Sequence, residues 1–180
     1  MVTFAVPDKI TAEEIRTIRR KLGLTRAEFA RLANVSKKTV ERWETGEREI
    51  GGPIAALVKL LWEYPQMKEE LTVPDKKYPL RLWYMEGSRV CTIIDVDERS
   101  RKVKVHNYTK DYIARAFGKE ENPDFEAYEA FLESRCFPRS RDKMKLTLRE
   151  LDLPFYEPLL IIEKTQGRMA EDDFWIQIER

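Results

Sequence analysis

The sequence predicts an α+β protein: five helices over residues 1–72, a linker over 73–79, and a small domain over 80–180 in which a strand hairpin precedes helices. Three observations carry this reading. Two capping boxes, Thr11-Ala12-Glu13-Glu14 and Thr25-Arg26-Ala27-Glu28, open apolar-striped segments near the start of the chain. Two later segments alternate instead: Val90, Thr92, Ile94 and Val96 in one, Val103 and Val105 in the other. Between the two regions, Thr72-Val73-Pro74-Asp75-Lys76-Lys77-Tyr78-Pro79 combines two prolines with three charges, the composition of a connector.

The first helix carries Ile15, Ile18 and Leu22 on one face and ends at Gly23. The second starts at Arg26 and offers Phe29, Ala30 and Leu32 as apolar positions. Ala30 falls where this helix would cross the next, so a larger residue there would push the two apart. Asn34 sits at the turn, where positive φ is needed and Asn tolerates it. Ser36 caps a third helix that runs to about Glu44. At helical spacing Val40 and Trp43 share one side of it with Ser36, and Lys38, Glu41 and Arg42 share the other. Gly46 follows as a stop.

These residues resemble the helix-turn-helix of the lambda-repressor-like (XRE) family of bacterial and phage regulators. The similarity runs over roughly residues 10–71 and is densest in LGLTRAEFARLANVSKKTVERWETGEREI. Matching features are Ala30, the turn at Asn34, Val40, and the Trp43-Glu44-x-Gly46 ending. Arg26 stands where many members have Gln, and Asn34 where Gly is usual. The resemblance implies double-stranded DNA as partner. Groove contacts are then expected from Lys37, Lys38, Thr39, Glu41 and Arg42, and phosphate contacts from Ser36, Arg26 and the first-helix residues Arg16, Arg19 and Arg20.

Gly51-Gly52-Pro53 begins a fourth helix, to about Tyr64. Ile54, Leu57, Val58 and Leu61 form the expected stripe, but Leu60 and Trp62 are apolar on other sides. A helix apolar all round must be covered twice. The cover is a twin subunit or the C-terminal domain; the twin subunit is the preferred reading, with Leu60 and Trp62 as the expected homodimer contact. Pro65 opens a fifth, short helix to about Leu71.

In the second domain, strands are expected over 80–86, 89–96 and 102–108, with Asp97-Glu98-Arg99-Ser100 as the turn. Helices are expected over 111–117, closed by Gly118, then 123–136, 141–151 and 158–165, with an edge strand over 172–178. Two stretches, RAFGKEENPDFEAYEAFLESRCFPRSRDKMK and EKTQGRMAEDDFWI, resemble a small domain that recurs in uncharacterised bacterial open reading frames. That resemblance implies no activity and no site residues. Arg135, Arg139 and Arg141 lead a basic series that reads as a solvated helix face or, alternatively, as a surface for an anionic partner, DNA or acidic protein.

Composition bounds the rest. Net charge is +1, yet residues 1–50 hold 11 Lys/Arg against 8 Asp/Glu, a modest excess confined to one module. No apolar run approaches the ~18–20 residues of a membrane span, and the first residues lack a signal peptide's basic and apolar regions, so a cytoplasmic protein is expected. The single histidine and the unpaired spacing of Cys91 and Cys136 leave no metal site, and nothing predicts a cofactor. His106 has no sequence-evident nucleophile beside it. Cys136 has apolar neighbours in Phe131, Leu132 and Phe137, and the Glu171-Asp172-Asp173 run reads as an acidic loop. No enzyme is expected. The expected function is a dimeric, sequence-specific transcriptional regulator that represses its own bacterial or mobile-element operon. The alternative is an inhibitor (anti-CRISPR-like) or antitoxin, whose residues 80–180 block a protein partner while the helix-turn-helix controls expression.

Overall fold

The computed structural model describes residues 5–140, 142 and 144–180. Arg141, one of the three residues expected at a partner surface, lies outside them. The chain divides into two compact units at Val73 and Pro74.

The first unit is five helices and one small ladder: β1 (Lys9–Ile10), α1 (Ala12–Lys21), α2 (Arg26–Leu32), α3 (Lys37–Thr45), β2 (Ile50–Gly51), α4 (Pro53–Glu63) and α5 (Met67–Leu71). Both capping boxes form, with Thr11 and Thr25 each accepting the N–H of the Glu three residues on. The two-residue strands β1 and β2 pair antiparallel, too short to be read from alternation. Gly23 takes φ +65° after α1, and its N–H donates to Arg20 C=O at 2.9 Å. Ile15, Ile18, Phe29, Val40 and Leu61, all at 0 % exposure, make the centre of this unit's core.

The second unit is a four-stranded antiparallel sheet with three helices. β3 (Leu80–Glu86), β4 (Arg89–Asp97), β5 (Lys102–Asn107) and β6 (Phe174–Glu179) lie in the order β5-β4-β3-β6. Asp97 closes the hairpin as expected, its carboxylate accepting the N–H groups of Arg99 and Ser100 and the Ser100 hydroxyl. The helices are α6 (Phe125–Ser134), α7 (Met144–Glu150) and α8 (Pro158–Thr165). One sheet face places Leu82, Ile94 and Val105 in register, with Tyr84 and Ile176 beside them. Against that face pack Tyr128, Phe131 and Leu132 of α6 and Ile161 and Ile162 of α8.

One expectation is corrected. Residues 111–117 are not a helix but a chain of turns. Asp111 accepts the N–H of Ile113, and Thr92 Oγ1 accepts that of Ala116, so side chains take donors a helix would have used. The Arg115 guanidinium donates to Thr109 C=O at 2.8 Å and holds the turns in place. Within the expected linker, Lys77 N–H donates to Asp95 Oδ2 at 2.6 Å and Lys76 Nζ to Glu179 C=O at 3.1 Å. Residues 74–79 are thus fastened to the second unit.

Candidate nucleic-acid interface

The turn between α2 and α3 is built as its residues dictate. Asn34 has φ +51°, and Val35 N–H reaches back to Ala30 C=O at 2.9 Å. Ser36 Oγ accepts Thr39 N–H at 3.0 Å and shares a hydrogen bond with Thr39 Oγ1 at 2.8 Å. Ala30, 3 % exposed, packs in the core beside Val40, so the small side chain sits where the helices need it. Gly46 ends α3 in extended backbone, φ −77° and ψ 152°, so left-handed freedom is not the reason for glycine there. A Cβ at Gly46 would meet Arg42 C=O at 2.9 Å, and the close approach is the reason.

The outer face of α3 is polar. Lys37, Lys38 and Arg42 are exposed, Thr39 and Glu41 half-buried. Ser36, Lys38, Thr39, Glu41, Arg42 and Thr45 border one shallow groove. Lys37 and Glu41 form an exposed pair at 3.6 Å, worth little in free energy but enough to bias their rotamers.

Behind that face lies a feature the sequence reading quoted without assigning a role. Glu44, 1 % exposed, points inward from the last turn of α3. Arg19 Nε of α1 donates to its Oε1 at 2.5 Å and Arg26 Nε of α2 to its Oε2 at 2.6 Å. Arg16 NH1 donates to the Glu44 C=O at 3.1 Å. One buried carboxylate therefore ties three helices together. Burial pushes the Glu44 carboxyl up, but the hydrogen bonds and charges of Arg19 and Arg26 outweigh it, and its pKa lies below the ordinary value. The legible signal was position: Glu44 falls four residues after Val40, on the apolar side of α3, where a charge needs partners.

This reassigns Arg19. Arg19, expected at phosphate, has only 13 % of its side chain exposed. All three of its nitrogens are used, the third on Leu24 C=O at 3.0 Å, so it is a structural tie. Arg26 keeps 45 % of its side chain exposed, with Nε turned inward. Arg16 is half-exposed and pairs with Glu13 at 2.7 Å, and Arg20 is exposed. On α4, Leu60 at 47 % and Trp62 at 42 % are exposed, and Lys21 Nζ lies 4.7 Å from the Trp62 ring.

In the second unit, Arg135 is corrected. It is 7 % exposed and cannot be a partner surface. It forks onto Asp172 at 2.6 and 2.9 Å and also donates to Gly167 C=O and Phe174 C=O. It pins the end of α6 to the start of β6. Arg139 is exposed, paired with Glu133 at 2.7 Å and stacked 4.3 Å from the Tyr156 ring. Cys136 is buried, its thiol pushed up to about 12 by burial, and Cys91 is buried and raised for the same reason. His106 is exposed and rests on Tyr108, ring centroids 4.6 Å apart. Among the described residues there is no group of three or more side chains placed to hold a metal ion, and no helix is long and apolar enough to cross a membrane.

Comparison with known proteins agrees with this geometry. Residues 15–58 match the family model described as helix-turn-helix. A curated relative, the antitoxin HigA-2 of Vibrio cholerae serotype O1, is 37 % identical over 57 residues, which cover 32 % of this chain and 55 % of the relative. The chain thus spans about half the length of the relative it matches. The matched stretch lies within the first unit, with α2 and α3 as the two helices of the helix-turn-helix.

Proposed function

We propose that the chain is a sequence-specific transcriptional regulator that binds an inverted-repeat operator as a homodimer and represses its own operon. The observation that carries the reading is the pairing of an exposed Lys38–Arg42 face with a buried Glu44 on the same helix. One side of α3 is fixed rigidly to α1 and α2, and the other side is free to enter a major groove. Lys38 and Arg42 are the residues for base edges, with Lys37, Thr39 and Glu41 beside them. Ser36, Arg20, Arg16 and the outer nitrogens of Arg26 are the residues for phosphate. Leu60 and Trp62 are the first unit's contact with a second copy, because an apolar helix face open to water gains from cover. The test is binding of a selected DNA site by the intact chain and by Lys38→Ala and Arg42→Ala. Loss of the site in both variants with an unchanged melting temperature supports the reading. Equal affinity in all three removes α3 from the interface.

A second reading is that of an antitoxin or inhibitor, in which the second unit blocks a protein while the helix-turn-helix controls expression. The similarity to a protein named an antitoxin favours it. Arg139 is an exposed member of the basic series that such a partner would meet. Coexpression with the product of the neighbouring gene tests it. Relief of growth arrest that survives Arg42→Ala supports this reading, and arrest unaffected by the chain counts against it.

A further inference from the structure

The four-stranded sheet ends on two open edges, and they are not alike. β5 presents exposed Lys102 and Lys104 two residues apart. Pairing β5 with its own copy would set cation against cation, a common guard on strand edges. β6 carries no lysine, and its outer edge is satisfied over only half its length.

The phase of that edge follows from one bond. In an antiparallel strand a residue turns its N–H and C=O to the same neighbour, and successive residues alternate. Ile176 N–H donates to Gln166 C=O at 2.7 Å, away from β3. Phe174, Ile176, Ile178 and Arg180 therefore face outward, while Trp175, Gln177 and Glu179 face Met85, Trp83 and Arg81 of β3. The first outward groups are taken, since Phe174 C=O accepts from Arg135 at 3.0 Å. Next come Ile176 C=O, Ile178 N–H, Ile178 C=O and Arg180 N–H, and no described residue bonds them. They border a groove lined by Ile162, Glu163, Gln166, Ile176, Ile178 and Arg180.

We propose that this half-edge pairs with the same stretch of a second copy, β6 against β6, antiparallel about a two-fold axis at Ile178. The order acceptor, donor, acceptor, donor is its own complement under that axis, so four main-chain hydrogen bonds form. Ile178 lies opposite Ile178 of the second copy, Ile176 opposite Arg180, and Gln177 opposite Glu179. A shift of the axis to Ile176 is blocked, because its N–H and the Phe174 C=O are already used. No like charges meet in the allowed register. The occupant is a second copy because the order of the edge's free main-chain groups is its own complement, while the charges beside it, Glu179 and Arg180, are already balanced by Lys76 and Glu163 of the same chain and set no repulsion across the axis. The contact is independent of α4 and extends the dimeric reading, on which it rests.

The test is sedimentation equilibrium of the full chain with substitutions at Gln177, an exposed side chain. Gln177→Glu sets two carboxylate pairs face to face across the axis, and Gln177→Lys makes two ion pairs with Glu179. The dimer dissociation constant should rise about three- to tenfold in the first and fall by a similar factor in the second. Ile178→Pro removes an outward donor without touching the β3 ladder and should raise the constant by at least about tenfold, with the far-ultraviolet spectrum unchanged. The set is repeated with Trp62→Glu to separate the α4 contact. Equal constants for Gln177→Glu and Gln177→Lys overturn the strand pairing and leave a dimer through α4 standing. A chain that stays monomeric at the highest concentration overturns both.

Discussion

Glu44 and Arg26 meet at 2.6 Å, the carboxylate fully buried and the guanidinium half in water. With Arg19 on the other oxygen at 2.5 Å, this contact fixes α3 to the two helices before it. Groove recognition needs a helix held at a set angle, and Arg19 and the Nε of Arg26 hold α3 there.

Glu44→Ala should therefore destabilise the first unit by about 3 kcal/mol. The low end of the range for a broken buried pair applies because Arg26 is half-exposed. Urea unfolding of the variant checks this, and a loss under about 0.5 kcal/mol would show the contact to be incidental.

Acid should act through the same residue. A carboxylate whose folded pKa lies below its unfolded value contributes stability above the unfolded value and loses it as pH falls through the folded one. Glu44 is of this kind, from an ordinary value of 4.5. So is Asp172, from 3.8, held down first by its hydrogen bonds from Arg135 and then opposed by burial. Stability should thus hold at neutral pH and fall below about pH 4.5. In Glu44→Gln the first unit should unfold with a weaker dependence on pH in that window.

Arg135→Met should destabilise the second unit and leave operator affinity unchanged. The substitution keeps bulk but strands Asp172, whose side chain is 29 % exposed, and releases Gly167 and Phe174 carbonyls. Differential scanning calorimetry should show one transition shifted down and the other in place.

Both cysteines should resist alkylation in the folded chain near pH 8. Cys136 is pushed up to about 12 by burial, so little thiolate exists there. Rapid labelling by iodoacetamide without denaturant would contradict the placement of both thiols in the core.

Leu60→Glu or Trp62→Glu should weaken self-association without unfolding α4, whose buried side is Ile54, Ala55, Val58 and Leu61. Sedimentation of the full chain measures this.

Much of the fold was legible, because caps and apolar spacing are local signals. The capping boxes at Thr11 and Thr25, the left-handed turn at Asn34 and the hairpin at Asp97 each depend on residues within four positions. What was not legible depends on distant partners. Residues 111–117 read as a helix, but the hydroxyls of Thr109 and Thr92, the latter 24 positions before Ala116, took the N–H groups of Asp111 and Ala116 into turns. Arg135 read as part of a basic surface because Asp172, which buries it, lies 37 residues on. Arg19 read as a phosphate ligand because Glu44, which holds it, lies 25 positions away. The exposed α3 face needed no such partner, and Lys38 and Arg42 stand outward as their spacing implied.

The central claim is that the outer face of α3 reads DNA sequence. Selection of bound duplexes from a random library by the intact chain, in parallel with the Lys38→Ala, Arg42→Ala double variant, tests it most directly. An inverted repeat, half-sites about one or more helical turns apart, should be enriched by the intact chain and disappear in the double variant. No enrichment by the intact chain, or the same repeat enriched by the double variant, would contradict it.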